Sequence, residues 1–158
     1  MNIPPEELFR RWFVAPIEVL QRELPKGDGA FVALMAILPL YERAIIAELK
    51  LARQDISQET IGTRVESDLG INEDTRRRFW AIYRNGFMHQ GMGLDGKSKW
   101  RISASYKLAP EIKTENGGDF VCLNPWDFAR HTIEKFVNRP ELITASDSFP
   151  FASIWSAT

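Results

Sequence analysis

Ala30-Phe31-Val32-Ala33-Leu34-Met35-Ala36-Ile37-Leu38-Pro39-Leu40-Tyr41 is the longest apolar stretch of the chain, and it runs straight into the charged pair Glu42-Arg43. It is about half the ~20 residues that a bilayer crossing requires. Apolar positions recur beyond it at Ile45, Ile46, Leu49 and Leu51. In the first half they lie nearly all round a helical wheel, the pattern of a helix packed on several sides. The stretch therefore predicts a central helix from Ala30 to about Gln54, bent at Pro39, with the remaining helices laid around it.

Upstream, Pro4-Pro5-Glu6-Glu7 is a good helix opening, because proline tolerates the first turn and acids suit its positive end. Leu8, Trp12, Val19 and Leu20 predict an amphipathic helix to about Leu24, broken or kinked near Ala15 by Pro16. Pro25-Lys26-Gly27-Asp28-Gly29 is a loop signal. Downstream, Ser57 and Gly70 bracket a third helix with Ile61, Val65 and Leu69 four apart. Asn72, followed by Glu73 and Asp74, caps a fourth that runs to about Gln90 and stops at Gly91-Met92-Gly93.

The pattern then changes. Trp100 to Tyr106 alternates at period two, as a half-buried strand does. Ile112–Thr114 and Phe120–Leu123 flank Glu115-Asn116-Gly117-Gly118-Asp119, a hairpin turn signal. A small β-hairpin or meander is expected between about 100 and 123. Asn124-Pro125-Trp126-Asp127 opens a last helix to about Asn138. A tail from Glu141 to Thr158 carries Phe149, Phe151, Ile154 and Trp155 without a clear period, and is expected to pack on the body or on a second subunit. No linker or repeat divides the 158 residues, so the expectation is one mainly α domain over 1–158.

Twenty basic against 21 acidic residues leave a net charge of −1, so a nucleic-acid partner would have to be drawn by a local patch. Cys122 is the single cysteine; it allows no intrachain disulfide and no cysteine cluster for zinc, and reads as a small buried side chain. The N-terminus has neither the basic start nor the apolar core of a secretory signal. A cytoplasmic location without membrane attachment is expected.

His89 and His131 are the two histidines. His131 follows Asp127 by four residues, which predicts a surface contact one helical turn apart. His89 has richer company in Arg84-Asn85-Gly86-Phe87-Met88-His89. At about 100° per residue on an α-helix, Asn85 and His89 share a face, whereas Arg84 lies about 140° from His89. Arg84 would then reach the same ligand only through its length or across a groove between two subunits. Gly86, costly in mid-helix by roughly 1 kcal/mol, suits the close approach of a partner helix. Arg76, Arg77 and Arg78, with Arg84 and with Lys97, Lys99 and Arg101 just beyond the helix end, form the one concentrated basic zone, read either as phosphate-binding for RNA or as a solvated helix face.

An arginine, asparagine and histidine together suit phosphodiester cleavage without a metal. The imidazole can take the proton of a ribose 2′-hydroxyl or return one to the leaving 5′-oxygen, and the guanidinium can brace the charge on the phosphorane. Asparagine can orient the histidine or bond the phosphate.

Arg84-Asn85-x-x-x-His89, following Tyr83 near the end of a long helix, resembles the signature of HEPN domains (higher eukaryotes and prokaryotes nucleotide-binding): arginine, four to six residues and histidine, with a polar residue after the arginine. The resemblance implies a helical bundle that dimerises with its motif helices facing, the 100–123 region being an embellishment. It implies a metal-independent ribonuclease of the toxin or phage-defence kind, with Arg84, Asn85 and His89 catalytic, RNA as substrate and no cofactor. It equally accommodates a non-catalytic dimeric module that binds a nucleotide or partners an antitoxin or nucleotidyltransferase. A third possibility is a structural dimer in which Arg84 and His89 pair with Glu73 or Asp74 of the other subunit.

Overall fold

The computed structural model describes residues 3–24, 27–90 and 99–144, with residues 87–90 described through their backbone alone. Its helices are α1 (Pro5–Phe9), α2 (Ala15–Glu23), α3 (Asp28–Leu51), α4 (Gln58–Leu69), α5 (Glu73–Phe79), α6 (Pro125–Asn138) and α7 (Glu141–Thr144). Two stretches, Arg10–Val14 and Trp80–Gln90, are wound as π-helix. Three strands, β1 (Lys99–Ile102), β2 (Glu111–Glu115) and β3 (Gly118–Leu123), make one small sheet. The described chain is mainly helical.

The apolar stretch is where the other elements converge. Ala33, Leu34, Ile37, Tyr41, Ala44 and Ile45 of α3 are fully buried, with Tyr41 packed in a tilted contact on Phe128 of α6, 4.9 Å between ring centroids. Helix α3 runs through Pro39 without a break. Among the described residues it is the one helix long and apolar enough, by length and composition, to cross a membrane. Thirteen of its residues are already covered by the fold, as in the core helix of a soluble protein.

Of the break or kink expected at Pro16, the break does not occur. Proline has no N–H to donate and its ring clashes with the carbonyl four residues back. The π turn just before it resolves this: Ala15 N–H reaches Arg10 O, five residues back, and the helical path continues from α1 into α2. The caps fall where the sequence puts them. The Ser57 hydroxyl accepts from Thr60 N–H, Gly70 closes α4 in the left-handed region (φ 64°), and the side chains of Asn72 and Asn124 cap α5 and α6.

The sheet order is β1-β3-β2. Strands β2 and β3 form the expected hairpin around Asn116 and Gly117, whose φ values of 50° and 75° are those of a type I′ turn. Strand β1 ends earlier than its alternation suggests, at Ile102, and pairs parallel to β3, Trp100 lying opposite Val121. The sheet is thus a hairpin with a parallel edge strand, and a meander is ruled out. Trp100, Ile102, Ile112, Val121 and Leu123 alternate onto the core side; Lys99, Arg101, Lys113 and Phe120 take the other.

The first part of the tail is a helical turn, α7, with Leu142 and Ile143 buried. Gly91-Met92-Gly93, Lys97 and the tail residues Phe149, Phe151, Ile154 and Trp155 lie outside the described residues.

Candidate functional site

The helix that carries the motif starts as the α-helix α5 and widens at Trp80. Hydrogen bonds from i to i+5 take roughly four to five residues per turn instead of 3.6. Position 89 therefore stands about one turn above position 84, and positions 84, 85 and 89 share one face of the helix, 89 lying between the other two. The 140° separation of α-helical geometry does not apply. The backbone positions of Arg84 and His89 are thus much closer around the helix than α-helical winding would place them. The side chain of His89 lies outside the described residues.

Two neighbours pin this segment from opposite sides. Tyr83, fully buried, donates its hydroxyl to Val121 O of β3 at 3.0 Å, with Arg101 O of β1 at 3.3 Å. Burial pushes its phenol well above the ordinary value, so it stays protonated and can donate. Arg84, next in the chain, turns to α3 and grips Glu42 with both sides of its fork: Nη2 donates to Oε1 at 3.0 Å and Nε to Oε2 at 3.3 Å. Its Nη1 donates to Asn85 Oδ1 at 3.0 Å. Asn85 thus touches Arg84 directly, while Glu42 (14% exposed) sits deeper than the arginine (27%) and fixes its direction. Sequence reading misses Glu42. Its one local sign is that it ends the apolar run of α3.

The upstream arginines have other employment. Arg76 is paired with Glu66 of α4, Nε to Oε1 at 2.9 Å, and lies so close to Gly62 that a Cβ there would come within 3.1 Å of its Cζ. Arg78 bridges Asp74 and Asp119, the latter at 2.7 Å. Arg77 is exposed, its Nη1 3.9 Å from Glu73. Glu73 and Asp74 therefore serve arginines of their own chain. Lys99 and Arg101 lie apart from these three, on the outer face of β1.

His131 departs from the expected contact with Asp127. Asp127 is taken by Asn124 and Arg130, and His131 Nε2 lies 2.9 Å from Asp68 Oδ2 on α4. The reason is a charged cluster between α3, α4 and α6. Tyr41 donates to Asp68 Oδ2 at 2.8 Å, and Lys135 pairs with Asp68 Oδ1 while donating to Glu48 Oε1 at 3.1 Å. Arg64 reaches Glu48 Oε2 at 2.7 Å, and Arg139 lies 3.5 Å from Oε1. Burial alone would raise the Asp68 carboxyl. The hydrogen bonds from His131, Lys135 and Tyr41 outweigh it and bring the pKa down to about 2.

Among the described residues no three histidine, cysteine, aspartate or glutamate side chains are grouped to hold a metal ion. Cys122 is buried and its thiol is pushed up, chiefly by that burial. Compared with protein-family models, with curated proteins and with solved structures, the chain finds no match in any of the three.

Proposed function

We propose that the chain is a homodimeric, cytoplasmic ribonuclease of HEPN type that cuts RNA without a metal. The observation that supports this reading is the π-helical register of Trp80–Gln90, which brings the backbone positions of Arg84, Asn85 and His89 to one face. π turns gather at functional sites. His89 takes the proton from a ribose 2′-hydroxyl, whose oxygen attacks the adjacent phosphorus. The P–O5′ bond breaks, the departing 5′-oxygen receives a proton from an imidazolium, and the products are a 2′,3′-cyclic phosphate and a 5′-hydroxyl. Arg84, aimed by Glu42 and touching Asn85, braces the charge that builds on the phosphorane. DNA, which lacks the nucleophile, survives. Facing motif helices in a dimer give one cleft two copies of the set.

The purified chain is expected to cleave RNA in EDTA and leave a cyclic phosphate end, read by mass spectrometry. His89→Ala is expected to abolish this with the circular dichroism spectrum unchanged. Cleavage that survives the substitution removes His89 from the mechanism.

One observation favours a second reading. The Arg84 guanidinium is already engaged by Glu42 on two of its nitrogens, which suits a non-catalytic module that binds a nucleotide, an antitoxin or a nucleotidyltransferase. Thermal stabilisation by nucleotide or RNA without turnover supports this reading over the first.

A further inference from the structure

The face of the sheet turned away from the core carries an ordered row. The register sets Phe120 of β3 between Lys99 of β1 and Lys113 of β2. The Arg101 guanidinium lies over the Phe120 ring, 3.7 Å from its centroid, and Lys99 Nζ stands 5.8 Å from the same point. Tyr106, in the loop that follows β1, extends the row, with Lys113 Nζ 4.8 Å from its ring centroid. Phe120 and Tyr106 are each half-buried, although the core needs neither on this side of the sheet.

The charge on this face also departs from that of the chain. Among the described residues, Lys99, Arg101, Lys107 and Lys113 stand against Glu111 and Glu115, an excess of two positive charges on a molecule whose net charge is −1. The acids are held within the row, Glu111 by Lys107 and Lys113, Glu115 by Arg101. Cations interleaved with planar groups are what an unpaired nucleic-acid strand requires, since its bases offer π-faces and its phosphates a regular charge. A duplex hides those π-faces, and an acidic protein has no use for them.

We propose that this outer face binds single-stranded RNA. Bases stack on the exposed side of the Arg101 guanidinium, itself seated on Phe120, and on Tyr106, while Lys99, Lys107 and Lys113 track the phosphates. The proposal rests on the ribonuclease reading for the identity of its ligand. The two sites are mechanically joined, because Tyr83, adjacent to Arg84, hydrogen-bonds the β1 and β3 backbone. A strand held on the sheet is thereby anchored at a fixed offset from the motif.

The test uses full-length His89→Ala protein, so that bound RNA persists, and a fluorescein-labelled 12-nucleotide single strand read by anisotropy across a salt series. The double substitution Lys99→Gln with Lys113→Gln is expected to weaken binding at least tenfold. It should also flatten the plot of log K against log salt by about 1.4, roughly 0.7 for each phosphate that is no longer neutralised. Phe120→Leu, which keeps the charges and most of the volume, is expected to weaken binding about fivefold or more with the slope unchanged. Affinities within twofold of the parent for both variants overturn the proposal, as does equal binding of duplex DNA or of polyglutamate. The two readings fail separately. RNA bound through this face by a chain that never cuts it sinks the nuclease and spares the face; RNA cut equally well by the face variants at subsaturating substrate does the reverse.

Discussion

Glu42 and Glu48 both leave α3 to meet arginines from other helices, yet the two pairings differ in depth and in company. Glu48 is 6% exposed and is shared by Arg64, Lys135 and Arg139, and through Lys135 it joins Asp68, Tyr41 and His131. Every charge there has an opposite charge or a donor beside it, and the cluster ties α3, α4 and α6 together. Glu42 is 14% exposed and meets Arg84, which also donates to a neutral amide. The first arrangement is a closed knot. The second holds one guanidinium in a set direction, and at 27% exposure it is less open than Arg64 and Arg139 of the knot. Under the proposed reading, the deeply buried and shared Glu48 is structural, while Glu42, which holds a single motif arginine, serves the site.

The difference can be broken most sharply from the structural side. Glu48→Ala leaves Lys135 with Asp68 but strips Arg64 and Arg139 of their buried partner. It is expected to cost about 3–5 kcal/mol of unfolding free energy, the scale for removing one member of a buried pair. In a chain of this size that lowers Tm by about 10 °C in calorimetry. A change below about 1 kcal/mol would make the cluster no different from a surface pair. Arg84→Ala should show the opposite profile. RNA cleavage is expected to fall by roughly 10²–10³ in kcat, the range for losing one preorganised donor to a developing oxyanion, with stability changed by only about 1 kcal/mol. Steady-state kinetics together with urea titration separate the two outcomes.

Acid probes the Glu48–Asp68 cluster by itself. The Asp68 carboxyl has a pKa of about 2 in the folded chain against an ordinary 3.8. A depressed carboxyl contributes stability above its unfolded value and loses it as pH falls toward the folded one. The cluster's share should therefore be intact above about pH 4 and fade between about pH 4 and pH 2. Urea midpoints of wild type and Asp68→Asn should lie well apart at about pH 6 and converge by about pH 2. A constant gap across that range would mean that Asp68 does not titrate as its hydrogen bonds dictate.

What the chain reveals before folding divides along the same line between local and distant chemistry. The caps at Ser57, Asn72 and Asn124, the stop at Gly70 and the turn at Asn116-Gly117 are legible because each is decided by a few neighbouring residues. The pairing of Trp100 with Val121 and of Asp68 with His131 spans long intervals of chain, and nothing in the local pattern forecasts it. His131 has a plausible local partner in Asp127, and a distant one takes its place. The motif shows both sides at once. Type and spacing pick out Arg84, Asn85 and His89, but a count of 3.6 residues per turn misplaces them relative to one another. Buried Phe79, Ile82 and Tyr83 suit an α-helix and a π-helix alike, so periodicity alone does not separate the two windings.

The smallest effect is the most informative about the site itself. Glu42→Gln keeps the shape of the side chain and one acceptor for Arg84, while removing the charge and the two-pronged grip seen at 3.0 and 3.3 Å. If Glu42 acts by aiming Arg84, the variant should lower kcat about tenfold, equivalent to about 1.4 kcal/mol, because the guanidinium then spends less time in the direction that the transition state needs. KM should hold within about twofold, since the substrate is gripped elsewhere, and Tm should move little. If Glu42 instead only restrains a cation that the phosphate must win over, removing its charge raises kcat. A rise in kcat would make Glu42 a restraint on the cation, and a large fall in Tm would place it with Glu48 as a structural partner; either result erases the contrast between the two halves of α3.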